Sequence, residues 1–103
     1  MSDNASAVTL IATFRAIAGY AEEVMGLITD YAKAVRDEPG NVFFDVYTDV
    51  DDAHSFVVIE RYLNQDAFEE HLNAKKGEAF NAVLGPLVEG GGSALQFLRA
   101  APE

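Results

Sequence analysis

Ser55-Phe56-Val57-Val58-Ile59-Glu60-Arg61-Tyr62 is the most informative stretch of the chain for the fold. It is rich in β-branched and aromatic residues, a composition typical of a β-strand. Successive side chains of a strand point to opposite faces, so the even-numbered residues share one face and the odd-numbered residues the other. Phe56 and Val58 make the first face apolar, and Val57 and Ile59 do the same for the second. The sequence therefore predicts a strand that buries side chains on both faces of a sheet.

The segments on either side supply the other elements of a small α+β domain. Three further strands are indicated by alternation and β-branched content, at residues 8–16, 41–49 and 94–98. Apolar residues recur at helical spacing over residues 20–36, and Pro39-Gly40 stops that helix. A second helix is predicted after an Asn64 N-cap, with a break near Gly77. The order β-α-β-β-α-β is the ferredoxin-like split βαβ pattern, with two helices on one face of a four-stranded antiparallel sheet.

This arrangement leaves one face of the sheet without a cover. Alternation directs a helix-facing set inward, namely Leu10, Ala12, Phe14, Val42, Phe44, Val46, Phe56 and Val58. The opposite face carries a second apolar set, namely Ile11, Phe43, Tyr47, Val57 and Ile59. Burying each such side chain contributes about 1.5–3 kcal/mol, so the second set amounts to about 10 kcal/mol. We therefore expect a homodimer in which a second copy of the sheet covers this face.

Composition limits the classes of function. The chain has 103 residues, enough for one domain over residues 1–103 with a core at about residues 8–98. Its 17 Asp and Glu against 7 Lys and Arg give a formal net charge of −10, which disfavours nucleic-acid and membrane partners. Acidic pairs such as Asp37-Glu38 are interpreted as solvated surface. The chain has no cysteine, and Met1–Ser6 lacks the features of a signal peptide, so a cytoplasmic protein is expected.

Three residues are candidates for chemistry. His71 follows Phe68 by three residues, which places it near the inward edge of the second helix, where histidine can act as a base near neutral pH. Glu60 shares the inward face of its strand with Tyr62, and a lone carboxylate there needs a partner or a proton. His71 and Tyr62 are possible partners for Glu60, although a structural role for Glu60 or His71 remains open. His54, 17 residues away, cannot form a local metal chelate with His71.

Three segments in order resemble a known family: Glu38-Pro39-Gly40-Asn41-Val42-Phe43-Phe44-Asp45-Val46, Phe56-Val57-Val58-Ile59-Glu60-Arg61-Tyr62 and Ala67-Phe68-Glu69-Glu70-His71-Leu72. Together they resemble the antibiotic biosynthesis monooxygenase (ABM) domain, which includes quinol monooxygenases. The resemblance spans about residues 8–98. It implies a dimeric α/β barrel with a pocket between sheet and helices in each subunit.

The resemblance also implies an activity and a site. Members oxygenate electron-rich aromatics such as quinols and anthrones with O2, without flavin, haem or metal. The expected catalytic residues are His71, Glu60 and Tyr62, with no cofactor and no metal. The expected substrate-binding residues are Phe44, Phe14, Val58, Phe80 and Asn41. The predicted partners are therefore a small aromatic substrate, O2 and a second copy of the chain.

The sequence departs from the family pattern, and two other functions stay open. Ala74-Lys75-Lys76-Gly77 stands where many members have Ser-Pro-His-Phe, and Tyr62 stands where tryptophan is frequent. One alternative is an isomerase of a small phosphorylated ketone or dione, because the turn at residues 40–46 resembles that class. Lys75 and Lys76 could then hold the phosphate. The other alternative is a dimer that binds a small ligand without catalysis.

Overall fold

The computed structural model describes residues 7–102 of the chain. The first six residues and the last residue of the predicted domain, residues 1–103, therefore lie outside the described residues. Seven principal elements follow in order: β1 (Val8–Arg15), α1 (Ala21–Arg36), β2 (Asn41–Thr48), β3 (Ser55–Tyr62), α2 (Gln65–Asn73), α3 (Lys75–Leu84) and β4 (Ala94–Leu98). Two short 3-10 turns, Gly85–Leu87 and Glu89–Gly91, connect α3 to β4.

The strands form one antiparallel sheet in the order β2-β3-β1-β4. The two central strands pair in a register that sets Leu10 opposite Glu60 and Phe14 opposite Phe56. The sheet and its helices make a ferredoxin-like α+β fold, as the sequence predicts. β3 and β4 occupy the predicted residues 55–62 and 94–98.

The inner face of the sheet packs against the helices to form the core. In β3 the even-numbered residues are buried and the odd-numbered residues are partly exposed. Phe14 and Phe56 stack across β1 and β3 with ring centroids 5.2 Å apart. The expectation for Val42 is wrong, because this side chain is 48% exposed. The register of β2 shifts between Asn41 and Phe43, and this irregularity takes Val42 out of the inward alternation.

Helix α1 follows the helical spacing of its sequence. Its buried side chains form one stripe, namely Val24, Ile28, Ala32 and Val35. Glu22 and Glu23 lie in the first turn and Arg36 in the last, the ends that the helix dipole favours for these charges. The Arg36 guanidinium donates to the Phe44 carbonyl oxygen from Nε at 3.1 Å and from Nη2 at 2.8 Å. This contact ties the end of α1 to β2.

The predicted second helix is in fact two helices, with the break three residues earlier than expected. Asn64 caps α2 as predicted, since its Oδ1 accepts from the Ala67 amide at 2.9 Å. Ala74 adopts an extended conformation between α2 and α3. Gly77 is not the break but a buried residue in the first turn of α3. A Cβ at Gly77 would come within 3.0 Å of the Tyr31 hydroxyl, so glycine here permits close packing of α3 on α1.

The outer face of the sheet carries several apolar side chains and, within residues 7–102, has no helix packed on it. Ile11, Phe43, Val57 and Ile59 are partly exposed there, and Tyr47 is 54% exposed. Arg61 lies on the same face, where its guanidinium stands 5.3 Å from the centre of the Phe43 ring. Among the described residues, no helix has the length and apolar character required to cross a bilayer.

Candidate active site

A cavity of about 310 Å³ lies between the inner face of the sheet and the helices. This volume is at the lower end of the range typical of small-ligand pockets. Four of the residues expected to bind substrate line it, namely Phe14, Phe44, Val58 and Phe80. Aliphatic side chains, among them Leu10, Ile28 and Leu84, also contribute to the wall. The cavity is therefore apolar along most of its wall.

Glu60 gives the cavity an ionisable group. Its side chain points inward from β3, lines the cavity, and leaves the residue only 5% exposed. The Tyr62 hydroxyl donates to Glu60 Oε1 at 2.7 Å. Arg61 points to the other face, as expected, and its Nε donates to Thr9 Oγ1 at 2.8 Å. Burial raises the pKa of Glu60 above its ordinary value, against the opposing effects of the Tyr62 hydrogen bond and the nearby His71.

His71 lies beside Glu60 on the cavity wall. Helix α2 presents it there because Phe68, one turn earlier, is buried against the sheet. His71 Nε2 is 3.8 Å from Glu60 Oε1, which is too long for a hydrogen bond. The imidazole also packs on the Tyr62 ring, with centroids 4.8 Å apart. The structure thus brings His71, Glu60 and Tyr62 into one cluster.

Glu38 is a member of this cluster that the sequence interpretation missed. The expectation of a solvated Asp37-Glu38 pair is wrong for Glu38, whose side chain is only 13% exposed. Its two carboxylate oxygens lie 3.0 and 3.1 Å from His71 Nδ1. A signal for this role exists in the sequence. Glu38 comes just after the C-terminal end of α1, where the helix dipole disfavours a negative charge that has no partner.

Tyr31 of α1 is a second cavity residue that the sequence pattern does not single out as functional. It lines the cavity and stacks on Phe80 with ring centroids 4.1 Å apart. Burial, reinforced by the negative charges of Glu38 and Glu60, raises the pKa of Tyr31 to about 12. The phenol therefore keeps its proton at neutral pH and remains a hydrogen-bond donor.

Three other predicted residues lie behind or beside the cavity. Tyr62 is fully buried behind Glu60, and burial raises its pKa above the ordinary value. Asn41 donates to the carbonyl oxygens of Phe43 and Arg61 at 3.1 and 3.4 Å, so its amide is engaged in the β2–β3 pairing. Lys76 Nζ lies 3.1 Å from Glu38 Oε2 and donates to the Ala34 carbonyl oxygen at 2.9 Å.

The carboxylates of the cluster do not converge on one point. Glu38 contacts Nδ1 of His71, whereas Glu60 faces Nε2 on the other side of the ring. Within residues 7–102, no group of three or more His, Cys, Asp or Glu side chains is arranged to hold a metal ion.

The fold and the site define a class: a ferredoxin-like α+β protein with an apolar cavity and a histidine–carboxylate cluster in its wall. The sequence profile of the antibiotic biosynthesis monooxygenase family matches residues 7–83. The chain therefore belongs to the antibiotic biosynthesis monooxygenase family. No curated protein sequence matches the chain.

Several solved structures share the fold. The chain is similar to Rv0793 from Mycobacterium tuberculosis, with 26% identity, a TM-score of 0.85, and coverage of 95% of this chain and 98% of that one. It is also similar to PA3566 from Pseudomonas aeruginosa, with 29% identity, a TM-score of 0.84, and coverage of 93% and 96%. SnoaB from Streptomyces nogalater, a cofactor-independent oxygenase solved as a mutant, shares the fold at 22% identity. Its TM-score is 0.83, with coverage of 96% and 97%.

Proposed function

We propose that this chain is a cofactor-independent monooxygenase that oxidises a small electron-rich aromatic, quinol-like or anthrone-like, with O2. The observation that carries the proposal is the position of His71 and Glu60, side by side, in the wall of a largely apolar cavity. In this proposal an aromatic substrate lies against Phe14, Phe44 and Phe80, with its hydroxyl group facing the imidazole. The family assignment and the fold shared with SnoaB, itself a cofactor-independent oxygenase, support the same reaction class.

In this proposal the substrate is the reductant. His71 accepts the phenolic proton, and the resulting anion passes one electron to O2, giving a substrate radical and superoxide. These recombine at a ring carbon to a hydroperoxide. For an anthrone-like substrate, the reacting CH2 carbon becomes a carbonyl, and its two hydrogens leave with the second oxygen atom as water. Tyr31 can donate to the developing negative charge.

Charge in the cavity favours a neutral substrate over a phosphorylated one. Among the residues that the structure describes, none of those lining the cavity is Lys or Arg, whereas Glu60 contributes a carboxyl group. Lys76 is engaged by Glu38 and the end of α1, and Lys75 is exposed. The isomerase alternative needs a cation for its phosphate, so the observed contacts support it less well than the oxygenase.

The test is O2 uptake by metal-free protein over a panel of quinols and anthrones, comparing the parent with His71→Ala. We expect protein-dependent uptake that falls by on the order of 10²–10⁴-fold in His71→Ala, the range typical of a lost general base. His54→Ala is the matched control, because the other histidine lies in the β2–β3 connection, away from the cavity. Uptake by the parent no faster than substrate autoxidation would contradict the oxygenase and favour a binding or isomerase role.

We also propose that the working form is a homodimer that buries the outer face of the sheet. This face presents Ile11, Phe43, Val57 and Ile59 partly exposed and Tyr47 more than half exposed. Each of these side chains is already partly buried in the single chain, so its burial in a dimer contributes only part of the ~1.5–3 kcal/mol that complete burial gives. A second copy of the same face is the simplest complementary surface, since it is equally apolar.

A further inference from the structure

Glu38 is held in place by contacts on both of its oxygens. Oε1 lies 3.0 Å from His71 Nδ1, and Oε2 lies 3.1 Å from Nδ1 and 3.1 Å from Lys76 Nζ. Lys76 also donates to the Ala34 carbonyl oxygen in the last turns of α1. The carboxylate is thus fixed between α2, α3 and the end of α1.

These contacts determine which ring nitrogen of His71 carries the proton. A carboxylate that pairs with an ammonium group accepts hydrogen bonds and has none to donate. His71 must therefore donate from Nδ1 to Glu38. In a neutral imidazole only one nitrogen carries a proton, so Nε2 is left with a free lone pair.

The free nitrogen lies on the side of the ring that faces Glu60. Nε2 lies 3.8 Å from Glu60 Oε1, beyond hydrogen-bond distance, and both residues line the cavity. The hydroxyl of Tyr62 is already committed to Glu60. A hydroxyl group of a ligand can approach Nε2 from the cavity.

We infer that Glu38 is a positioning residue: it fixes the Nδ1–H tautomer of His71, so that Nε2 accepts the proton of a neutral hydroxyl-bearing ligand, and Lys76 holds Glu38 in that position. This inference deepens the proposed oxygenase and rests on it for the reaction, whereas the tautomer itself does not depend on any activity. When Nε2 takes up a proton, the imidazolium lies between Glu38 and Glu60, which stabilise its charge.

Several ionisable groups face His71 from the neighbouring elements. Besides Glu38 and its partner Lys76, they are Glu60 and Tyr62 of β3 and Tyr31 of α1. Tyr31 and Tyr62 contact the imidazole through their rings, 6.3 and 4.8 Å from its centroid. Only Glu38 lies within hydrogen-bond distance of a ring nitrogen among these groups.

The tautomer can be measured by ¹⁵N NMR of the histidine side chains in the full chain, since protonated and bare ring nitrogens have well-separated shifts. The chain has two histidines, and a His54→Gln variant assigns the signals. We expect the parent to show a protonated Nδ1 and a bare Nε2 at His71. A parent with a protonated Nε2 and a bare Nδ1 would overturn the inference, whatever the activity, and this result needs no variant to fold.

Glu38→Gln tests the role of the carboxylate. Its amide can donate to Nδ1, so we expect the Nε2–H tautomer to become populated, while Glu70→Gln on the exposed face of α2 keeps the parent spectrum. A parent-like spectrum in Glu38→Gln would overturn the inference. Lys76→Met, with exposed Lys75→Met as its control, should also raise the Nε2–H population. No change in Lys76→Met would contradict the role of Lys76.

Kinetics distinguish positioning from a merely structural role. With a quinol that the parent oxidises, Glu38→Gln should lower kcat on the order of 10²-fold and change KM less than about threefold. The double variant Glu38→Gln/His71→Ala should be no slower than His71→Ala, because Glu38 acts through His71. Additive losses would overturn the inference. A parent with the expected tautomer but no protein-dependent O2 uptake would contradict the proposed oxygenase and leave the tautomer assignment intact.

Discussion

At the scale of single residues, the position of Glu60 is the feature with the most consequences. An acid on the inward face of β3 is costly to bury in its charged form, and the surrounding residues compensate only in part. Tyr62 donates a hydrogen bond to Glu60. His71 is close enough to interact with the charge of Glu60 but too far away to form a hydrogen bond with it. Burial accordingly raises the pKa of Glu60. A carboxyl group with a raised pKa is typical of a site that transfers protons.

Replacement of Glu60 by glutamine should raise stability at neutral and alkaline pH and change it little in acid. Because the pKa of Glu60 is raised in the folded chain, the folded state keeps a proton that the unfolded state has already released. Stability therefore declines as pH rises from the ordinary carboxyl range through the raised pKa of the folded state. Glutamine cannot ionise, and its amide oxygen still accepts from Tyr62.

Urea unfolding at a series of pH values from about 4 to about 9 measures this difference. Glu69→Gln, on the exposed face of α2, is the control and should follow the pH profile of the parent. A Glu60→Gln profile parallel to that of the parent would show that Glu60 does not titrate with a raised pKa.

At the scale of elements, the turn after α1 sets the position of α2. Gly40 lies beneath Ala67, and a Cβ added at Gly40 would overlap the Ala67 side chain. The Gly40 carbonyl oxygen also accepts from the Leu63 amide at 2.9 Å, just before α2 begins. This close approach brings Glu38, two residues before Gly40, against His71, four residues after Ala67.

Gly40→Ala should therefore destabilise the fold by about 1–3 kcal/mol, the usual cost of overpacking, because α2 has to move away from the turn. Gly26→Ala is the matched control. Gly26 lies within α1, a Cβ there meets no atom within 4 Å, and alanine should stabilise the helix by up to about 1 kcal/mol. Urea unfolding measures both changes. A Gly40→Ala variant as stable as the parent would show that α2 does not depend on this contact.

At the scale of the whole molecule, the outer face of the sheet is the basis for the proposed homodimer. Within residues 7–102 it has no helix packed on it, and its apolar residues lie side by side across strands, as with Ile11 opposite Ile59. Arg61 is a charged residue on the same face, and its guanidinium is bonded to Thr9. A contiguous apolar surface of this kind is typical of an interface between copies of a chain.

Ile59→Lys should convert the proposed dimer to a monomer at micromolar concentration, because the cost of desolvating a lysine in the interface exceeds what an ion pair with Asp45, its neighbour across β2 and β3, returns. Ile59 is partly exposed in the single chain, so the monomer should still fold, which far-UV circular dichroism checks. Val83→Lys is the control, since Val83 is 52% exposed on α3. Light scattering gives the mass of each protein. A parent of monomer mass would contradict the dimer.

The order of elements, the limits of β3 and β4, the Asn64 cap and the inward direction of Glu60 could be predicted from sequence alone. Each depends on local chemistry: side-chain alternation in strands, helical spacing, and the hydrogen-bonding of a capping side chain. The pairing of Tyr62 with Glu60 also follows from alternation, since residues two apart in a strand share a face. Each of these features depends on residues that are close together in the sequence.

The remaining features were decided by contacts between distant segments. Glu38 meets His71 across 33 residues, Gly77 packs against Tyr31 of another helix, and the irregularity at Val42 arises from the pairing of β2 with β3. A local pattern describes what a residue does to its own strand or helix, but not which surface will lie against it. The sequence alone therefore determined the elements, their inward faces and the possible partnership of Glu60 with His71, and only the tertiary structure added Glu38 and Lys76 to that site.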